Sequence, residues 1–181
     1  MADTFPASLA FTLQQEGGFT DDPNDPGGAT NYGITLGTLR NYTGNPDLGV
    51  ADIQNISMDT VHAIYGSDYW NRMRCDGLPA GVDLMVFDHG VNAGTGRSAM
   101  ILQQAIGLTG AEVDGSIGPQ TLAAAGQMAA AALINDLAAR QRAYYQSLGN
   151  FQRYGAGWLA RVGRRQTAAI AMATPAGAVA A

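Results

Sequence analysis

Residues 17–35, GGFTDDPNDPGGATNYGIT, hold five Gly, two Pro and three Asp, and no regular helix survives that density of breakers. Upstream, Phe5, Leu9 and Leu13 recur every four residues, which predicts a helix over residues 6–15 with Pro6 in its first turn. That helix runs straight into Glu16. A compact loop with a short β-hairpin must follow, since Phe19, Thr20, Tyr32 and Ile34 to Thr35 are the residues suited to strands. Whatever the chain folds into, an acid stands where its first helix meets its least helical stretch.

The remainder reads as helices. Leu36 to Tyr42 forms a short helical turn before a Gly/Pro/Asn loop. Ser57 caps a helix of about fifteen residues through SMDTVHAIYGSDYWNRM, with Val61, Ile64 and Tyr65 inward. Pro79 opens another that carries Val82, Met85, Val86 and His89; Gly90 to Gly96 is a break, and Ser98 to Ile106 is helical again. The turn VDGSIGP leads to Pro119 and an Ala-rich run, a long helix covers 129–148, and Gly155 and Gly157 precede a last helix over 158–172. The expectation is a mainly α fold with one small β patch. Its parts are residues 1–80, a helical C-terminal part at 81–174, packed as one globule with the first, and a frayed tail at 175–181.

At 181 residues, 46% hydrophobic and 14% charged, the chain has the composition of a folded domain rather than a disordered one. The start MADTFPASLAFTLQQEGG shows no basic region followed by an apolar run, and no stretch reaches the ~20 apolar residues of a membrane span. One cysteine permits no internal disulfide, and His62, His89 and Cys75 lack metal-ligand spacing. Synthesis in the cytoplasm without a signal peptide is therefore expected, as is the absence of any metal or cofactor. All ten cations are Arg, and only Glu16 and Glu112 of the fifteen acids are Glu. Charge divides along the chain: residues 1–139 hold fifteen acids against four Arg, a balance of −11, and residues 140–181 hold six Arg and no acid, +6. Such an end can touch an anionic envelope, with Arg161, Arg164 and Arg165 as the contact, or fold back on the acidic part and neutralise it. Nucleic-acid binding is not expected.

Glu16, Asp25 and Thr30 form the constellation with chemical content. Cleaving a glycosidic bond takes one carboxyl that stays protonated to donate to the leaving oxygen, and a second that stays ionised to position water or stabilise the oxocarbenium-like state. Glu16, beside an apolar helix end and Phe19, suits the first role. Asp25, among the backbone amides of a Gly-rich turn, suits the second, with Asp22 as a rival, and the Thr30 hydroxyl can hold the attacking water. Spacing alone leaves other readings open: the three Asp also suit Asx turns or calcium ligands, although no EF-hand spacing is present.

The stretch EGGFTDDPNDPGGATNYGIT resembles the signature of glycoside hydrolase family 108, which runs EGG, an aromatic, DPxDxGGxT and YGI. IYGSDYW, LMVFDHGVNAG and LQQAIGLTGAEVDGSIGPQTL resemble later parts of the same family, the last its predicted peptidoglycan-binding part, so the likeness covers residues 5–165. The resemblance implies a lysozyme-like helical bundle with a small β-hairpin near the active-site Glu, and a muramidase, often a phage endolysin, with Glu16 as catalytic acid. Glu, Asp and Thr also follow the order of the phage-type lysozyme triad. The gaps here are eight and four residues, the second one residue shorter than in those enzymes.

Tyr32, Tyr69, Trp70 and Asn92 are the candidate substrate-binding residues: aromatic faces pack on pyranose rings, and Asn92 falls near a helix end with Asp88 and His89. The expected partner is the glycan strand of peptidoglycan, met by a monomer at the cell wall, with a holin as companion if the chain is phage-encoded. Two alternatives stand beside this one. A lytic transglycosylase would cut the same bond without a second carboxylate, and a wall-binding or secretion-helper protein would cut nothing.

Overall fold

The computed structural model describes residues 3–21 and 28–174. Asp22, Asp25 and the expected tail at 175–181 lie outside the described residues. Two compact units emerge: Leu9–Asp68, and a larger one that joins the first eight residues to everything from Tyr69 onward. The fold is mainly α, lysozyme-like, with nine α-helices and one two-stranded sheet among the described residues.

In the smaller unit, helix α1 (Phe5–Leu13) enters from the larger one and ends three residues before Glu16. Strands β1 (Thr30–Asn31) and β2 (Ile34–Thr35) then form an antiparallel hairpin, with Thr30 opposite Thr35 and Asn31 opposite Ile34. Thr20 adds a bridge on the other side of Thr30. Helices α2 (Leu36–Thr43), α3 (Val50–Gln54) and α4 (Met58–Tyr65) complete the unit. The cap expected at Ser57 is present: its hydroxyl accepts from the Thr60 N–H at 3.1 Å, a bond that contributes about 1 kcal/mol. Asn31 ties the hairpin to α3 by donating to the Ile53 and Gln54 carbonyls at 3.2 and 3.0 Å.

The fifteen-residue helix expected from Ser57 is α-helical only to Tyr65; Gly66–Asn71 continues as a π-helical turn. A π turn inserts an extra residue, which rotates the positions after it away from the register of α4. Trp70 thereby reaches the core of the larger unit.

That unit is built on α5 (Val82–Ala93), α6 (Thr95–Ala105), α8 (Ala130–Gln146) and α9 (Phe151–Ala173), with α5 packed against all three others. Every residue of α5 from Val82 to Gly90 is buried, the signature of a helix surrounded on all sides. Helix α7 (Pro119–Gln127) starts with Pro at its first position, as the turn before it predicts. Two glycine-based expectations need correction. The break placed at Gly90 to Gly96 contracts to Gly94, because Gly90 is a helical residue that admits Met73: a Cβ there would meet the Met73 sulfur at 2.5 Å. Helix α9 likewise begins at Phe151 and runs through Gly155 and Gly157. Among the described residues no single helix is long and apolar enough to cross a membrane.

Candidate functional site

The smaller unit assembles its site around the hairpin turn. Tyr32 and Gly33 are the two turn residues and both have positive φ, 51° and 72°, as a type I′ turn requires. Glycine adopts that conformation freely; a tyrosine pays roughly 1 kcal/mol or more for it. The chain holds Tyr32 there by a long-range bond, the Tyr65 hydroxyl donating to the Tyr32 carbonyl at 2.8 Å.

Gly33 is where the acid arrives. A Cβ built on it would stand 3.1 Å from Glu16 Oε2 and 3.0 Å from the Tyr65 hydroxyl oxygen. The carboxyl and the phenol therefore share the space that a side chain at 33 would fill. Glu16 itself is half-buried. A half-buried carboxyl set against the turn backbone has a restricted range of rotamers.

Thr30 anchors the other end of the hairpin. Its N–H and C=O exchange bonds with Thr20 at 2.8 and 2.9 Å, and the two hydroxyls lie 2.9 Å apart. Thr30 and Tyr32 are both half-buried. The structure thus puts Glu16 against the turn whose strands carry Thr30, with Tyr32 in the turn. Tyr65 was expected only as an inward residue of its helix; its hydroxyl is the polar group that sequence reasoning missed. The available signal was chemical, since a buried phenol needs a hydrogen-bond partner.

The remaining candidates belong to the larger unit. Tyr69 is half-buried within the π turn. Trp70 is a correction. It is 2% exposed, its ring packs on Phe5 and Phe87 at centroid distances of 5.0 and 5.3 Å, and its Nε1–H donates to Asp76 at 2.7 Å. No face of that ring is open to a sugar. Asn92 is exposed near the end of α5 and accepts from the Tyr145 hydroxyl at 2.5 Å.

The basic end needs a second correction. Arg161 donates to Asp88 from Nε and Nη2 at 3.1 and 2.7 Å, and Arg165 donates to the same carboxylate at 2.7 Å. Asp88 and Arg165 are fully buried and Arg161 is 8% exposed, so neither arginine can meet an envelope. Only Arg164 of the three is exposed. A carboxylate in the protein interior demands cations, and these two arginines answer it. Among the described residues no cluster of His, Cys, Asp or Glu could hold a metal ion.

Comparison with known proteins extends this picture. The glycosyl hydrolase 108 family matches residues 9–94, and a family described as a predicted peptidoglycan domain matches residues 97–163. The first match takes in the whole smaller unit with α5, and the second starts within α6. Among curated proteins no relative matches. The solved structure of Brucella abortus SagA is similar throughout, with 38% identity, a TM-score of 0.81, and 96% of this chain and 97% of that one covered. With a carboxyl seated on a hairpin turn and both family regions in order, the chain is a glycoside hydrolase acting on peptidoglycan, and it belongs to the glycosyl hydrolase 108 family.

Proposed function

We propose that the enzyme is an N-acetylmuramidase, hydrolysing the β-1,4 bond between N-acetylmuramic acid and N-acetylglucosamine. Glu16 is the general acid that protonates the glycosidic oxygen. Asp25 activates water or stabilises the cationic state, and Thr30 helps hold that water. Tyr32 and Tyr69 contact the sugars, together with Asn92. In a phage setting the same chemistry is that of an endolysin, acting at the wall after release from the cytoplasm.

The observation that carries this reading is the Glu16 carboxyl against Gly33 and Tyr65. A proton donor has to be held still relative to the leaving oxygen, and the turn backbone supplies that restraint. Asp25 enters through the family signature and the demand for a second carboxylate.

Purified peptidoglycan digested by wild type and by Glu16→Gln provides the test. Wild type should release fragments ending in reducing muramic acid, and Glu16→Gln should lose roughly 10²–10⁴-fold in rate, the range for removing a general acid. Anhydro-sugar ends in the products would assign a transglycosylase instead. Undiminished activity of Glu16→Gln would remove Glu16 from the chemistry.

A further inference from the structure

The turn DGSI, singled out in sequence as a helix-entry turn, borders a cavity of about 270 Å³ in the larger unit. It is lined by Arg72, Met73 and Arg74, by Thr95 and Gly96, and by Gly115 to Ile117. No acidic residue is among these. Neither the Arg72 nor the Arg74 guanidinium has an ion-pair or hydrogen-bond partner among the described residues, and both residues are exposed. This contrasts with the buried arginines at 161 and 165.

The far wall is held rigid. Gln103, 2% exposed, donates to Asp114 Oδ1 at 2.7 Å and to the Ser116 carbonyl at 3.1 Å, and accepts from the Gly115 N–H at 2.9 Å. Asp114, the acid of the turn, is occupied by these bonds: its Oδ1 also accepts from the Ser116 N–H at 2.8 Å. Gln103 and then Ser116 hold its carboxyl below the usual range. Thr95 and Gly96 open α6, where backbone N–H groups lack intrahelical acceptors.

Two unpaired guanidiniums on a fixed polar cavity select a planar anion. The cavity is smaller than the roughly 300–1,000 Å³ of common ligand pockets and has no aromatic wall, so a head group fits its chemistry better than a sugar pair. We propose that it binds a carboxylate of the peptide stems carried by peptidoglycan, with Arg72 and Arg74 as the recognising residues. The proposal rests on peptidoglycan as substrate and not on which bond is cleaved.

The test is calorimetric titration of the full chain with a disaccharide–tetrapeptide, a fragment with no internal bond for a muramidase to cut. Parallel titrations use the same fragment with methyl-esterified carboxyls, and inorganic phosphate. The free-carboxyl fragment should bind with salt-sensitive affinity, and both esterification and the variant Arg72→Gln/Arg74→Gln should weaken it at least about tenfold. Arg72→Gln alone, at a position without backbone strain, should show part of the loss, so misfolding of the double variant does not decide the outcome. Equal affinity for the esterified fragment, unchanged binding by the folded variants, or phosphate binding as tightly as the fragment would overturn the proposal. Because the readout is binding, absence of glycan cleavage would count against the muramidase reading and leave this result standing.

Discussion

Gly33 and Glu16 are in contact through what Gly33 lacks: the space of a Cβ at residue 33 lies 3.1 Å from Glu16 Oε2. Substituting Gly33→Ala thus does two things. It places an L side chain at φ +72°, which costs about 1–2 kcal/mol, and it pushes on the carboxyl and the Tyr65 hydroxyl together. The expected outcome is a folded protein, less stable by that amount in urea titration, with hydrolysis of peptidoglycan reduced at least about tenfold through misplacement of the acid. Full activity in the destabilised variant would show that the Glu16 position is not constrained by the turn.

A buried carboxylate flanked by two arginines makes a distinct prediction in the larger unit. Asp88→Asn leaves the Arg161 and Arg165 guanidiniums without their counter-charge in the interior, and one-sided removal from a buried ion cluster costs about 3–5 kcal/mol. Arg164→Ala, on the same helix but exposed, should cost less than about 1 kcal/mol. Urea denaturation of the two variants beside wild type checks the ordering, and the reverse order would mean that the cluster contributes nothing to folding.

Local signals carried much of this structure. The Ser57 cap, Pro119 at a helix start, and the hairpin residues Thr30 and Thr35 are written in neighbouring residue types, because capping and turn formation are decided within a few positions. Glu16 was legible for the same reason: it interrupts the passage from a periodic helix to a breaker-dense loop. Trp70, Arg161 and Arg165 were misjudged because their fate depends on partners far along the chain, Phe5 and Phe87 for the indole, Asp88 for the guanidiniums. An aromatic or a cation looks the same in sequence whether it faces solvent or a buried complement. Tyr65 shows both halves at once, its ring placed correctly by helical period and its hydroxyl by a carbonyl at residue 32 that periodicity does not encode.

His89 gives the fold a pH dependence with a definite sign. It is wholly buried, neither ring nitrogen has a hydrogen-bond partner among the described residues, and its neighbours include the Tyr144 and Tyr145 rings. Burial, then the Arg165 charge, lowers its pKa from 6.5 to about 3, with Asp88 opposing. Below pH 6.5 the unfolded chain takes up a proton that the native imidazole refuses, so the stabilising contribution is complete above 6.5 and is lost progressively as pH falls toward 3. The full loss is on the order of a few kcal/mol. Asp83 works in the opposite direction, since burial raises its carboxyl, so the wild-type profile is a sum of both. His89→Leu removes only the first contribution: between pH 7 and pH 4 its unfolding free energy in urea should fall less than that of wild type. Parallel profiles for the two proteins would mean that the imidazole takes up its proton equally in the native and unfolded states, with no lowering on folding.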